Sequence, residues 1–314
     1  MDIAHNIKRR RMELNLSQQE LAQAVGYRSR STIAKIEGGE IDPPLSKLMS
    51  FAQALDTSVE TLLTGTRPTR EESASVPAGN GTGNIAIILA GGKSTRNMQN
   101  IPNQFINVLG KPVIVYCLEV YQSHPLIDDI FVVCTDEWKA ITAAYARQYG
   151  ISKLRGIVPA GETGVLSVRN GLERVQRAGA SPTATVVLQE STRPFVTEEM
   201  VSKLLQSCAK EGHAIICEHM SDNVQFMLDG GDARYLERSK VVDLQSPEAY
   251  RAEVLGEVFQ QAARRGHPLK ESCTGMLRYN LGMPLNFCEG THNNIKIVRQ
   301  EDIAIFTALL KHRD

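Results

Sequence analysis

The feature that most constrains the fold is a short apolar run that ends in glycine. Residues 85–89 have the sequence IAIIL, five apolar and mostly branched residues that are too few to form a helix. Such a run is typical of a strand that is buried on both faces of a parallel sheet. Ala90, Gly91 and Gly92 follow at once. Small residues there allow the backbone to turn sharply and to approach a ligand closely.

The residues that follow the two glycines are suited to binding phosphate. Lys93 and Arg96 supply positive charge, and Ser94 and Thr95 supply hydroxyl groups. Exposed backbone N–H groups beside fixed cations suit a polyphosphate. The segment is neither a Walker loop nor a dinucleotide fingerprint, because it completes neither GxxxxGK[ST] nor GxGxxG. Taken alone, the segment is explained equally well as an ordinary turn after a strand.

Two further blocks identify a family resemblance. The sequence PNQF stands at residues 102–105 and LGKPV at residues 109–113. In order and spacing, these blocks resemble the start of the methylerythritol-phosphate and ribitol-phosphate cytidylyltransferases, whose pattern runs LAGGxGxRM, PKQF and LxGKP. The resemblance implies a Rossmann-like nucleotidyltransferase fold. It also implies an enzyme that transfers CMP from CTP to a polyol phosphate and releases pyrophosphate.

Strand and helix patterns alternate over residues 85–314, which predicts a doubly wound α/β domain with its ligands at the carboxyl ends of the strands. The predicted strands are residues 85–89, 129–134, 184–188 and 213–217, and the main predicted helices are residues 113–122, 138–149 and 165–178. Residues 222–242 contain the turn signal Asp229-Gly230-Gly231 and predict a hairpin. In the related enzymes an arm at this place exchanges between two subunits, so the resemblance implies a homodimer.

The resemblance also implies roles for individual residues. It assigns catalysis, by positioning and charge neutralisation, to three cations, Arg96, Arg193 and Lys296. It implies a nucleotide site formed by Ala90, Gly91, Gly92, Arg96, Gly161 and Ser167. Arg238 would bind the phosphate of the acceptor, and Glu190 would hold Mg²⁺ as the cofactor.

Several positions depart from the family pattern and leave a second function open. The lysine of PKQF is replaced by Asn103, the metal-binding aspartate by Glu190, and the arginine after Thr163 by Gly164. Asn223 stands where the arm usually has threonine. Loss of one charge from a transition-state site costs about 10²–10³-fold in rate. The alternative is therefore a weak or inactive transferase domain that senses a nucleotide or metabolite for a transcriptional regulator.

Residues 1–65 predict a small helical bundle that contains a helix-turn-helix. Ser17 and Glu20 form the pattern of a capping box, and Gly26 ends the helix that they begin. The string SQQELAQAVGYRSRSTIAKIEGG resembles the Cro and lambda repressor family, with one extra residue in the turn. The resemblance implies binding of double-stranded DNA, as a dimer on two half-sites, through Arg28, Ser29, Arg30, Ser31, Thr32 and Lys35. The alternative is a polar surface for protein contact, because basic and acidic residues balance in this part of the chain.

The remaining sequence features concern the domain organisation of the chain and its cellular compartment. Residues 66–84 are rich in Pro, Gly, Ser and Thr and predict a flexible linker. Lys and Arg number 35, equal to Asp and Glu, so net charge gives no general attraction to nucleic acid. The pattern predicts neither a membrane-spanning segment nor a signal peptide. Its six cysteines include no CxxC and predict reduced thiols in a cytoplasmic protein.

Overall fold

A computed structural model of the chain describes residues 3–65, 83–92, 101–219 and 225–312. Most of the predicted linker, at residues 66–82, lies outside the described residues. Residues 93–100, which include the predicted phosphate contact Arg96, lie outside them as well, as do residues 220–224 at the start of the predicted arm.

The amino-terminal residues form the predicted helical bundle. Its helices are α1 (Ile3–Glu13), α2 (Gln18–Ala24), α3 (Arg30–Glu37), α4 (Leu45–Ala54) and α5 (Val59–Thr64). The capping box is confirmed, since the Ser17 hydroxyl accepts from the Glu20 amide at 3.1 Å and the Glu20 carboxylate accepts from the Ser17 amide at 2.7 Å. α3 begins at Arg30, because the Ser29 hydroxyl accepts from the Ser31 amide and caps the helix there.

A buried ion pair joins the first and third helices of the bundle. Arg11 donates from Nε to Glu37 Oε1 at 2.6 Å and from Nη2 to Oε2 at 3.0 Å. The side chain of Glu37 is only 2% exposed. Arg10 also links two parts of the bundle, because its guanidinium donates to the carbonyl oxygens of Leu55 and Asp56. Two arginines of the basic run at residues 9–11 thus hold the bundle together.

The larger domain is built on a seven-stranded sheet. Its strands are β1 (Asn84–Ala90), β4 (Ile127–Cys134), β5 (Leu154–Pro159), β6 (Thr185–Glu190), β7 (His213–His219), β10 (Val242–Arg251) and β11 (Phe287–Glu289), in the order β11-β7-β10-β6-β1-β4-β5. β10 runs antiparallel to both of its neighbours, whereas the other described pairs of this sheet are parallel. The predicted doubly wound α/β class is confirmed, but the sequence pattern missed β5, β10 and β11.

Helices cover both faces of this sheet. They are α6 (Val113–Ser123), α7 (Lys139–Gln148), α8 (Gly164–Arg177), α9 (Glu198–Glu211), α10 (Ala252–Arg264), α11 (Thr274–Asn280) and α12 (Gln300–Lys311). Alternate residues of β1 point to opposite layers. Ile88 packs in a core that includes Leu118 of α6, while Ile87 packs in a second core with Leu172 of α8. Burial on both faces explains why residues 85–89 are continuously apolar.

Two small hairpins complete the domain. β2 (Asn107–Val108) pairs with β3 (Lys111–Pro112), and β8 (Gln225–Asp229) pairs with β9 (Asp232–Leu236). The second hairpin lies within the predicted arm. Within the described residues, no helix combines the length and the apolar character needed to cross a bilayer.

The bundle and the α/β domain also contact each other. α5 packs against α7, and one apolar core includes Leu62 of α5 and Tyr145 of α7. A gap of about 200 Å³ remains between the two parts, lined by Asp42 on one side and by Tyr149 on the other.

We expect Arg11→Ala to destabilise the bundle by about 3–5 kcal/mol, because it leaves the buried carboxylate of Glu37 without its cation. Hydrogen exchange of the α1 and α3 amides in the full-length protein measures this loss. The matched control is Arg9→Ala, since Arg9 makes exposed contacts, with Glu13 at 3.7 Å and with the Gly65 carbonyl at 3.0 Å, and its side chain is 41% exposed; we expect a loss below about 1 kcal/mol. Equal, small losses in both variants would contradict the structural role of the Arg11–Glu37 pair.

Candidate active site

The candidate site lies where the two halves of the sheet meet. β1 sits between β4 and β6, and ligands of open α/β sheets bind at the carboxyl ends of the strands beside such a reversal of strand order. A cleft of about 670 Å³ opens there between the ends of β1 and β6 and the start of α8. A larger cavity of about 870 Å³ lies at the opposite edge, by the amino ends of β1 and β4. We assign the site to the carboxyl edge because the predicted charged residues converge on it.

Close packing requires glycine at two of the predicted nucleotide-binding positions. A Cβ atom added to Gly91 would lie 2.6 Å from Ala160 Cβ, and one added to Gly161 would lie 2.5 Å from Leu166 Cβ. No side chain fits at either position without a shift of its neighbours. Of the predicted nucleotide-binding residues that the structure describes, Gly91, Gly92 and Ser167 line the cleft. Ala90 precedes Gly91 and Gly161 precedes the lining residue Glu162, but neither Ala90 nor Gly161 is part of the lining.

Hydrogen bonds hold the walls of the cleft in place. Ser167 Oγ accepts from the Gly161 amide and donates to the Thr163 carbonyl, both at 3.0 Å. On the other wall, Gln104 Nε2 donates to the carbonyl oxygens of Ala90 at 2.7 Å and Gly92 at 3.1 Å. Gln104 thereby anchors the glycine turn. The sequence analysis noted Gln104 only as part of the PNQF block and missed this role.

A carboxylate and two cations form the charged centre. Glu190, at the end of β6, accepts from Lys296 Nζ through Oε1 and from Arg193 Nε through Oε2 at 3.1 Å. Arg193 also donates to the Asn294 carbonyl at 2.7 Å. Burial alone would raise the pKa of Glu190, but the nearby Lys296 and Arg193 lower it below its ordinary value. Glu190 is therefore ionised at neutral pH, and the three groups together carry a net charge of about +1.

Hydrogen bonds made by Asn294 hold the charged centre in place. Its side chain is fully buried and donates to Gln245 Oε1 at 2.9 Å and to the Ser246 carbonyl at 2.8 Å. Because the Asn294 carbonyl receives Arg193, this one residue connects the 294–296 segment to β10 and to the cation. The sequence analysis selected only Lys296 from this segment and missed Asn294, two residues before it.

Two of the departures from the family pattern have a structural reason. Asn103 Nδ2 donates to the carbonyl oxygens of Ile297 and Val298, both at 3.1 Å. Asn103 thus ties its loop to the segment that carries Lys296. A Cβ atom on Gly164 would lie only 2.0 Å from the carbonyl oxygen of Ser272. The backbone at Ser272 therefore occupies the space that a side chain at residue 164 would need.

Not every predicted site residue reaches the cleft. Arg238 is exposed on a short 3₁₀ helix that follows β9, and it is not among the residues that line the cleft. Arg96 lies outside the described residues. The remaining predicted catalytic residues, Arg193 and Lys296, are brought together at Glu190.

A neighbouring, smaller cavity extends from the cleft. It measures about 120 Å³ and shares Leu89, Glu190, Ser272 and Lys296 with the cleft lining. Glu248 of β10 lies in its wall. The Glu248 carboxylate accepts from the Tyr250 hydroxyl at 2.6 Å and from the Gly275 amide at 3.1 Å. Burial raises the pKa of Glu248 to about 7, despite these hydrogen bonds.

The predicted DNA-contacting residues lie on the helical bundle, apart from the cleft. Five of them are exposed: Arg28, Ser29, Arg30, Ser31 and Lys35. Thr32 is half-buried. The buried side of α3 is formed by Ile33, Ile36 and Glu37, so the polar side of this helix faces outward.

The metal-binding prediction rests on Glu190 alone. Among the described residues, no group of three or more His, Cys, Asp or Glu side chains could hold a metal ion by itself. Mg²⁺ is commonly held by one or two carboxylates together with phosphate oxygens of a substrate. The donor set at Glu190 fits an ion of that kind and does not form a self-sufficient protein site.

Comparisons with known proteins identify related proteins for both parts of the chain. A helix-turn-helix family model matches residues 7–62. The ribitol-5-phosphate cytidylyltransferase of Lacticaseibacillus paracasei is 30% identical, over 73% of this chain and 98% of its own length. The 2-C-methyl-D-erythritol 4-phosphate cytidylyltransferase of Syntrophus aciditrophicus is also 30% identical, over 73% of this chain and 97% of its own length.

Solved structures show the same fold. The 4-diphosphocytidyl-2C-methyl-D-erythritol synthase of Anaerococcus prevotii superposes with a TM-score of 0.62 at 23% identity, over 74% of this chain and 97% of its own. The family model for 2-C-methyl-D-erythritol 4-phosphate cytidylyltransferase matches residues 84–312. Because this match spans well over half of the sequence, the chain belongs to that cytidylyltransferase family and carries a helix-turn-helix domain in front of it.

Proposed function

We propose that the α/β domain transfers CMP from CTP to the phosphate of a polyol phosphate and releases pyrophosphate. The observation that carries this proposal is the convergence of Glu190, Arg193 and Lys296 beside the glycine turn at Gly91. Two of the relatives are named for ribitol 5-phosphate and for 2-C-methyl-D-erythritol 4-phosphate. We take these two compounds as the acceptors to test first.

The reaction requires positioning and neutralisation of charge. An oxygen of the acceptor phosphate attacks the α-phosphorus of CTP, and the bond to the pyrophosphate oxygen breaks. Negative charge is spread over phosphoryl oxygens in the transition state, where fixed cations stabilise it. Glu190 binds both Lys296 and Arg193 and so orients the two cations before a substrate binds.

Mg²⁺ fits this scheme as a partner of the nucleotide. Glu190 would supply the protein ligand, and triphosphate oxygens would supply others. When bound, the ion would neutralise part of the phosphate charge. The phosphate oxygens of CTP would then compete with Glu190 for Lys296 and Arg193, which would free the carboxylate for the ion.

We further propose that α3 binds double-stranded DNA. Arg28, Arg30 and Lys35 are exposed near one end and along the outer side of this helix. Arginine and lysine contact phosphates and guanine edges, and a helix-turn-helix places its second helix in the major groove. A role in transcription regulation follows if the bound sites control genes.

A homodimer would supply the two half-sites that such domains bind. The hairpin β8–β9 carries an unusual amount of exposed apolar surface, since Phe226 is 56% exposed, Leu228 80% and Tyr235 53%. Apolar surface of this kind often marks a protein interface. We propose that a second copy of the chain covers this hairpin, and that Arg238, which follows it, acts at the partner's cleft.

We place the protein in the cytoplasm. All six cysteines are free thiols, and Cys117, Cys134, Cys208 and Cys217 are buried. Free thiols are typical of a reducing compartment, where CTP and DNA are also found.

One observation favours the alternative of a nucleotide sensor with weak turnover. Asn103 donates to two backbone carbonyls and brings no charge to the cleft wall. The missing cation would lower the rate without removing the pocket for the nucleotide.

Release of pyrophosphate from CTP, with Mg²⁺ and each of the two acceptors, tests the proposed reaction. We expect Lys296→Met to lower kcat by about 10²–10³-fold, because it removes charge from the transition state. The matched control is Lys203→Met, since Lys203 forms a similar pair with Glu199 at 2.7 Å on the exposed side of α9. Full activity in Lys296→Met would contradict the catalytic role of that lysine. No release by the wild type with either acceptor would favour the sensor.

We expect Asn103→Lys to raise kcat, because it returns a cation to the cleft wall where Asn103 stands. Asn103→Met controls for side-chain length without charge, and it should give no gain. Both variants lose the contacts to Ile297 and Val298, so their melting temperatures should fall by similar amounts. Equal kcat values for the two variants would show that the missing cation does not limit the rate.

We expect Arg30→Ala to weaken binding to a duplex selected from a random DNA pool. If Arg30 contacts a phosphate, the slope of log K against log salt should fall by about 1; if it contacts a base, affinity should fall by about 1–3 kcal/mol for that base pair. The control is Arg177→Ala, because Arg177 is 75% exposed on α8 of the other domain. Unchanged DNA affinity in Arg30→Ala and in Arg28→Ala would overturn the assignment of α3.

A further inference from the structure

One segment of the α/β domain contacts both the cleft and the helical bundle. Residues 103–112 begin in a short 3₁₀ helix, whose Asn103 and Gln104 line the cleft, and continue through the β2–β3 hairpin. Three residues of this hairpin line the gap that faces the bundle: Asn107, Gly110 and Pro112. We propose that residues 103–112 couple the two sites, so that CTP bound in the cleft strengthens the binding of DNA by the bundle. The inference rests on the proposed nucleotide and DNA sites.

The first two residues of the segment hold both walls of the cleft. Asn103 donates to two backbone carbonyls just after Lys296, and Gln104 donates to two carbonyls of the glycine turn. Each of these two side chains belongs to a residue that is 2% exposed. The lysine of the family pattern would bring charge to residue 103, whereas the amide makes a structural connection there. A nucleotide that binds between the two walls therefore acts on a segment that is anchored to both.

The other end of the segment is joined to α7, the helix that contacts the bundle. The hydroxyl of Tyr149, at the end of α7, donates to the Gly110 carbonyl at 3.3 Å. Phe105 stacks on Trp138, which directly precedes α7, with ring centres 4.5 Å apart. On the bundle side, Leu63 of α5 lines the gap, and α5 packs against α7. A shift of the segment therefore changes the surface that α5 contacts.

Two features of the docked bundle favour coupling and indicate its direction. The gap of about 200 Å³ leaves the interface less closely packed than a protein interior, which contains few voids larger than a water molecule. The polar side of α3 stays exposed in the docked bundle, for example at Arg30 and Lys35. A nucleotide that orders residues 103–112 would hold the bundle in one orientation. A surface that is already oriented loses less freedom on binding, so bound CTP raises DNA affinity.

Fluorescence anisotropy of the full-length protein, with a duplex selected from a random DNA pool, tests the coupling. We expect CTP with Mg²⁺, in the absence of an acceptor, to lower the Kd of wild type for DNA by at least about fivefold. Calorimetry should show that DNA strengthens CTP binding by the same factor, because linkage is reciprocal. Unchanged or weaker DNA binding in the presence of CTP would overturn the proposal.

Variants of the interface test whether the coupling follows this path. Leu63→Glu places a charge in the gap and should reduce the effect of CTP to below about twofold, while CTP still binds in the cleft. The matched control is Met12→Glu, since Met12 is 60% exposed on α1 and is not among the residues that line the gap; it should keep the full effect. Loss of the effect in this control as well would contradict the assigned path.

Trp138→Leu tests the same path from the α/β domain, with the bundle unchanged. It removes the ring stack with Phe105, so we expect the effect of CTP on DNA affinity to fall as it does in Leu63→Glu. This variant decides alone if Leu63→Glu fails to fold. A full effect of CTP in Trp138→Leu would overturn the role of residues 103–112.

Failure of the proposed function would give a different result. A protein that binds no CTP, or no DNA, contradicts the proposed sites and this inference with them. A protein that releases pyrophosphate and binds DNA, but whose DNA affinity does not respond to CTP, contradicts this inference alone. Coupling without turnover supports the inference and identifies the α/β domain as a sensor.

Discussion

The carboxylate of Glu190 holds two cations that come from separate parts of the chain. Arg193 follows β6 directly, whereas Lys296 lies more than a hundred residues later, on a segment anchored through Asn294. Without this ion pair, two positive side chains would stand close together in a partly buried cleft and repel each other. A polyanionic ligand would compete with Glu190 for the same two cations.

The local features of the fold could be predicted from the sequence, because they depend on neighbouring residues. The continuous apolar run of β1, the Ser17–Glu20 capping box and the alternation of strands and helices each follow from short-range patterns. β10 was missed because Pro247 and polar residues interrupt its pattern, and its strand character comes from pairing with β6 and β7 on either side.

The contacts that define the site could not be predicted, because they join distant residues. The sequence shows that Asn103 replaces a lysine, but not that its amide binds the Ile297 and Val298 carbonyls. It shows glycine at residue 164, but not that the Ser272 backbone fills the adjoining space. In the bundle, the sequence shows Arg11 as the last of three consecutive arginines, but not that Glu37 binds it from another helix. In each case the residue type was visible and its partner was not.

Packing connects the cleft to the helix-turn-helix domain through contiguous side chains. Gln104 anchors the glycine turn, and the next residue, Phe105, stacks on Trp138 with ring centres 4.5 Å apart. Trp138 directly precedes α7, against which α5 of the bundle packs. The two modules are therefore in direct contact, and a nucleotide that favours one packing of these side chains over another would change DNA affinity. Linkage is reciprocal, so DNA would change nucleotide affinity by the same factor.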